Sequence, residues 1–139
     1  MIKAIVKNIV LFLIGGLIYF VLEVLFRGNS HWTMYIVGGL CFIFIGWINE
    51  LLSWSTPLWL QSLIGSVIIT ALEFVSGCII NLGLGWNVWD YSNLPLNVLG
   101  QICLPFSALW VLLSTVAIVL DDYLRYLWFK EERPKYKLF

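Results

Sequence analysis

The chain has 139 residues, of which 61% are hydrophobic and 12% charged, and its eight Lys and Arg balance eight Asp and Glu to a net charge of +0. Mean hydropathy is +0.93. A soluble domain is about half apolar and about a quarter charged, and one of this size could not enclose so much apolar surface in its own core; the composition therefore describes an integral membrane protein, with no nucleic-acid partner expected.

Four apolar runs, residues 5–26, 34–52, 58–82 and 96–120, each reach the roughly 20 residues that cross a hydrocarbon core about 30 Å thick. They predict an all-α, integral membrane four-helix bundle in a single transmembrane domain, followed by a cytoplasmic tail over 121–139. From Ile9 to Phe26 the first run is broken only by Gly15, Gly16 and Glu23. It is too long for the apolar core of a signal peptide and has no small-x-small site before Arg27, so it reads as a retained helix. The second run carries Gly38-Gly39 and ends near Asn49-Glu50. The short segment Ser53–Pro57 then makes runs two and three an antiparallel hairpin, with Pro57 in the first helical turn and Ser55 or Thr56 as its cap. The third run contains Glu73. In the fourth, Gly100-Gln101 and Pro105 predict a kink. Asp121-Asp122 follow, spaced to pair with Arg125 as a helix-end ion pair.

Seven of the eight basic residues (Lys3, Lys7, Arg125, Lys130, Arg133, Lys135 and Lys137) lie on the side shared by both termini, and only Arg27 lies elsewhere. The positive-inside rule then places both termini in the cytoplasm and the protein in the cell membrane. Trp32, Trp86 and Trp89 are expected at the outer interface and Trp54, Trp59 and Trp128 at the inner one, with Trp47 and Trp110 deeper and in need of an acceptor for their N–H groups. Cys41, Cys78 and Cys103 form no C-x-x-C pair and read as small packing residues. The pattern Leu13-Ile14-Gly15, Ile18, Leu22-Glu23 recurs as Leu63-Ile64-Gly65, Ile68, Leu72-Glu73. A weaker echo links Gly38–Cys41 with Gly100–Cys103. Together they suggest two parallel two-helix repeats.

A carboxylate at membrane depth is costly and needs a partner, a proton or a task. Glu23 and Arg27 are four apart on one helical face, in the favourable order for an ion pair. Glu73 has no such partner nearby in sequence. Gly77 and Asn81 follow it at four-residue steps, so this face should meet another helix or a cavity. The candidate ligand-binding set is Glu23, Arg27, His31, Glu73, Asn81 and Asp90, lining a polar pocket open to the outside. The alternative is a structural lock in which Arg27 neutralises the acids. One His without paired Cys gives no metal site, and no phosphate-binding loop or other cofactor motif is present, so no metal and no cofactor are expected.

The segments 19–28 (YFVLEVLFRG) and 30–34 (SHWTM), Gly38-Gly39, Ile48-Asn49-Glu50, and above all Val88-Trp89-Asp90-Tyr91-Ser92 followed by Pro95-Leu96-Asn97 and Gly100-Gln101-Ile102, resemble the CmpB-like ABC-transporter type IV family of small membrane proteins. The resemblance implies a permease-like role. One four-helix protomer is thin for enclosing a pathway, so a homodimer or a partner protein is expected, an ATPase subunit being the partner that the resemblance implies. It carries no established substrate or catalytic residue. The expected function is transport or binding of a small solute or lipid. A membrane-embedded enzyme using carboxylate acid–base chemistry on a lipid-like substrate, and a non-catalytic assembly factor, remain the alternatives.

Overall fold

The computed structural model describes residues 2–28, 30–52, 56–131, 133–134 and 136, and the side chains of all of these except Phe26, Arg27, Asn49 and Glu50. Four helices make the fold: α1 (Ile2–Arg27), α2 (Trp32–Gly46), α4 (Leu58–Gly77) and α5 (Leu104–Phe129), with a single-turn α3 (Ile48–Leu51) after α2. A π-helical segment, Cys78–Gly83, prolongs α4. Three stretches, Ile2–Leu25, Leu58–Gly83 and Leu104–Phe129, are long and apolar enough to cross a membrane, whereas Trp32–Gly46 is a shorter apolar helix. Among the described residues the fold is all-helical, as the composition required.

α1 packs along α2, and α4 along α5, so the chain forms two helical hairpins; α2 also touches α4 and α5. The expected pairing of runs two and three is thus secondary to the pairing within each hairpin. The reason lies in the small residues. Gly15 and Gly16 lie directly against Phe42 and Tyr35, and Gly38 and Gly39 against Tyr19 and Phe12. Removing Cβ at four positions lets the two backbones approach closely. The Tyr35 hydroxyl then donates to the Leu13 carbonyl at 2.6 Å. The second hairpin is joined by hydroxyls instead. Ser62 and Thr115 oxygens are 2.6 Å apart, the Ser66 hydroxyl donates to the Ser107 carbonyl at 2.7 Å, and Thr70 meets the Ser107 hydroxyl at 2.9 Å. Gly65, the counterpart of Gly15, is buried against Ser114. The two glycines therefore occupy like positions in the two hairpins. The weaker echo does not extend to structure: Gly38–Cys41 lie inside α2, while Gly100–Cys103 precede α5.

Three expectations are corrected here. Pro105 does not kink a helix; it stands in the first turn of α5, where its missing N–H leaves nothing unsatisfied. The apolar residues 96–103 consequently belong to the preceding loop. Pro57 is the N-cap residue of α4 rather than part of its first turn; the Thr56 carbonyl accepts from the Gln61 amide at 3.0 Å. Trp89 is buried, not interfacial, and Trp47 is partly exposed at the break between α2 and α3, stacked edge-on to Phe44. Trp32, Trp86, Trp59 and Trp128 are exposed. Trp54, Ser55 and the side chains of Asn49 and Glu50 lie outside the described residues.

Both chain ends meet at one end of the bundle, called here the terminal end; the other is the loop end. Lys7 Nζ stands 2.9 Å from Glu131 Oε2 and Arg125 Nε 2.9 Å from Asp121 Oδ2, and the Tyr136 hydroxyl donates to Asp122 Oδ2 at 2.6 Å. The Asp121–Arg125 pair forms at the expected spacing, but it is buried against α2 rather than placed at a wet helix end, with Gly46 lying on the Asp121 carboxylate. Breaking a buried pair from one side leaves an uncompensated charge, which is strongly destabilising.

The helix contact in the first hairpin is testable. A Cβ at Gly39 would stand 2.8 Å from the Phe12 carbonyl oxygen, a backbone atom that cannot step aside. Gly39→Val is expected to cost about 1–3 kcal/mol through overpacking, read as a lowered thermal midpoint in detergent.

Candidate functional site: a buried carboxylate in an apolar cavity

Glu73 is 3% exposed. It stands inside Leu58–Gly83, a stretch long and apolar enough to cross a membrane, and is buried within the protein, so both carboxylate oxygens must find donors there. They do. Trp110, facing it from α5, donates its Nε1–H to Oε1 at 3.2 Å, and the Tyr91 hydroxyl donates to Oε2 at 2.9 Å. None of the ion pairs between described residues involves Glu73. Burial, with the Glu73 carboxylate beside it, pushes the Tyr91 phenol above its ordinary value, so it remains a donor.

Tyr91 reaches Glu73 because the loop before α5 is folded against the end of α4. Asn81, buried in the π-helical segment, donates to Gln101 Oε1 at 2.8 Å and accepts from the Val88 N–H at 2.7 Å. Trp89 donates its ring N–H to the Gln101 carbonyl at 3.0 Å. The Tyr91 N–H donates to the Gly100 carbonyl at 2.7 Å, and the Val98 N–H to the Ile102 carbonyl at 2.9 Å. Asp90 accepts from the Ser92 N–H at 2.9 Å, and these hydrogen bonds from Ser92 hold its carboxyl below the usual range. Gly100 has a φ of 73°, and a Cβ there would stand 2.8 Å from the Asp90 carboxylate. Gly77, one turn beyond Glu73, leaves room for Trp89 and Gln101. Each polar residue of the Trp89-Asp90-Tyr91-Ser92 stretch thus has a mechanical part: Trp89 anchors it, Asp90 and Ser92 close the turn, and Tyr91 ends on Glu73.

Beside Glu73 lies a cavity of about 110 Å³. Its walls are Gly15, Ile18, Tyr19 and Leu22 of α1, Met34, Val37, Gly38, Cys41, Phe42 and Ile45 of α2, Ile69 of α4, Trp89, and Trp110, Leu113, Val116, Ala117 and Leu120 of α5. Glu73 is the one carboxylate among its lining residues. In its wall the Tyr19 ring is set edge-on to Trp110, centroids 6.2 Å apart. At its terminal end Leu11 and Phe42 gather Leu120 and Leu124. Of the lining residues, Ile18 on α1 and Val116 on α5 are the exposed ones, at 38% and 62%. The cavity therefore opens sideways between α1 and α5, at a depth where lipid chains would run.

The sequence-derived set is only partly gathered. Glu23 is tied to the cavity through Tyr19, whose hydroxyl donates to its Oε1 at 3.3 Å. His31 caps α2, its Nδ1 accepting from the Thr33 N–H at 3.2 Å, and packs against Trp32 and Trp86. Asn81 and Asp90 organise the loop without lining the cavity. The Arg27 side chain, and so its expected pairing with Glu23, lies outside the described residues. The two hydrogen-bond partners of Glu73, Tyr91 and Trp110, lie outside that set. For Trp110 the sequence did hold a signal, a deep indole in need of an acceptor. Among the described residues no group of three or more His, Cys, Asp and Glu could hold a metal ion. Cys41 lines the cavity and Cys103 is the N-cap residue of α5, so the latter packs in a loop rather than a span.

Tyr91→Phe removes one of the two donors from a buried carboxylate. The expected cost is about 1–3 kcal/mol, measured as a lower unfolding midpoint, with Trp110→Phe giving a loss of similar size.

A family model described as "Putative ABC-transporter type IV" (ABC_trans_CmpB) matches residues 10–133. Searches of curated proteins and of solved structures returned no match. The family description and the apolar helices together indicate a membrane transport-related protein. With the match covering most of its length, the chain belongs to the CmpB-type ABC-transporter type IV family.

Proposed function

We propose that this protein is a permease-like membrane component whose solute site is the side-opening cavity at Glu73. The observation that carries the reading is a carboxylate, 3% exposed, beside an otherwise apolar cavity among four helices. A residue kept only to lock helices together would be expected to face a cation, yet both its described partners are neutral donors that also fix its direction. Glu23, reached through Tyr19, is the second acid of the site. Asn81 and Asp90 order the loop that carries Tyr91 to the site, and His31 caps α2.

Both termini are assigned to the cytoplasm from the bias of basic residues, and the Lys7–Glu131 contact supports their lying on one side by joining the start of α1 to the end of α5. One four-helix protomer leaves its cavity open on one side. A homodimer or a partner subunit, such as an ATPase, completes the pathway in this reading.

Membrane vesicles from cells producing the full chain, with their native partners present, test the proposal. Exchange of a panel of labelled amines, carboxylic acids and neutral lipophiles is followed across them. At least one class is expected to exchange about tenfold faster than in vesicles lacking the chain, a difference of about 1.4 kcal/mol in barrier. Glu73→Gln should return it to background while leaving the amount of folded protein unchanged. Equal exchange in every class with and without the chain sinks the reading.

A further inference from the structure

The reading above leaves the ligand's chemistry open, and the cavity itself narrows it. Its lining is apolar apart from Glu73 and the Tyr19 hydroxyl, and it carries the aromatic rings of Tyr19, Phe42, Trp89 and Trp110. The Tyr91 and Trp110 donors take one oxygen each of Glu73 and leave the remaining lone pairs of an acceptor-only group. No described Lys or Arg lines the cavity to receive an anion. An anionic ligand would meet a carboxylate with nothing to offset it, and a neutral donor would gain a hydrogen bond from that carboxylate but no pairing of charge. A cation gains twice, from the carboxylate and from aromatic rings, whose faces attract positive charge most strongly where water is excluded.

The mouth adds a second constraint. Since Ile18 and Val116 flank an opening at mid-helix depth, a ligand would arrive from the hydrocarbon side, with its apolar part along α1 and α5. A small, strongly hydrated cation is disfavoured there, because it must shed its water without enough oxygen ligands to replace it. Resting on the reading of Glu73 as the solute site, we infer that the cavity binds an amphiphilic organic monovalent cation. Its ammonium-like head lies between Glu73 and the rings of Tyr19 and Trp110, and its apolar body extends through the gap between α1 and α5.

The test uses the full chain in lipid nanodiscs, with binding read by calorimetry. The probes are dodecyltrimethylammonium, its butyl homologue, and a neutral C12 alcohol carrying the same tail. The dodecyl cation is expected to bind saturably, at least about tenfold tighter than either the short cation or the neutral alcohol, after subtraction of empty nanodiscs. Glu73→Gln should weaken the cation at least about tenfold and leave the alcohol unchanged. Val116→Trp, at the exposed mouth, should weaken the long cation more than the short one, and it keeps the test decisive if Glu73→Gln does not fold. Equal affinity for cation and alcohol overturns the inference. So does a Glu73→Gln protein that keeps its cation affinity, or a folded wild-type chain that binds no cation. The two readings separate cleanly. Glu73-dependent exchange of a non-cationic solute sinks the ligand class and keeps the transport site. Cation binding at Glu73 with no exchange of any solute does the reverse.

Discussion

One constraint organises this molecule: a carboxylate placed at hydrocarbon depth on α4 must have its oxygens satisfied from within the protein. An unsatisfied polar group there costs several kcal/mol, a large part of the stability of any single domain. The two donors come from distant parts of the chain, Trp110 on α5 and Tyr91 in the preceding loop. Satisfying Glu73 therefore ties α4, α5 and the loop into one unit. The hydroxyl contacts between α4 and α5 set the spacing that lets the indole reach. The network of Asn81, Gln101, Trp89 and Gly100 sets the loop that brings the phenol.

The opposite end of the bundle solves a related problem differently. Asp121 and Asp122 are buried as well, but there the acids meet a base and a phenol, Arg125 and Tyr136. Lys7 and Glu131 close the ring by joining α1 to the end of α5. Charge meets charge where the start of α1 and the end of α5 converge, whereas the described partners of Glu73 are neutral donors. In the proposed function that asymmetry separates a clasp from a site. It also assigns the hairpins different parts: the glycine-rich contact of α1 with α2 makes a closely packed wall, and the gap left between α1 and α5 makes the opening.

Much of the fold was legible in the sequence because it follows from length and hydropathy. The four apolar runs, the close-packing glycines, the Asp121–Arg125 spacing and the interior placing of Glu73 all belong to that layer. Helix boundaries were less legible, since apolar residues 96–103 look like span but form loop; only Pro105, which suits a first turn, marks where α5 begins. The site was half legible. Periodicity placed Glu73, Gly77 and Asn81 on one interior face, and the structure buries all three. It could not tell that Asn81 and Asp90 serve the loop, because their roles rest on contacts with Gln101, Val88 and Ser92 made across turns with positive φ. Nor could it find Tyr91, which lies 18 residues from Glu73 along the chain and meets it only once the loop has folded back.

The central claim is that Glu73 is buried from water yet reachable sideways from the bilayer. Labelling with a lipid-soluble carbodiimide tests it directly. Dicyclohexylcarbodiimide dissolves in the hydrocarbon and converts a carboxyl group it reaches to a stable N-acylurea, whereas a water-soluble carbodiimide stays outside. Peptide mass spectrometry of the reconstituted chain is expected to place the dicyclohexyl adduct on Glu73, with little modification of that residue by the water-soluble reagent. An unmodified Glu73 after treatment with the lipid-soluble reagent, or equal labelling by both, would contradict the account.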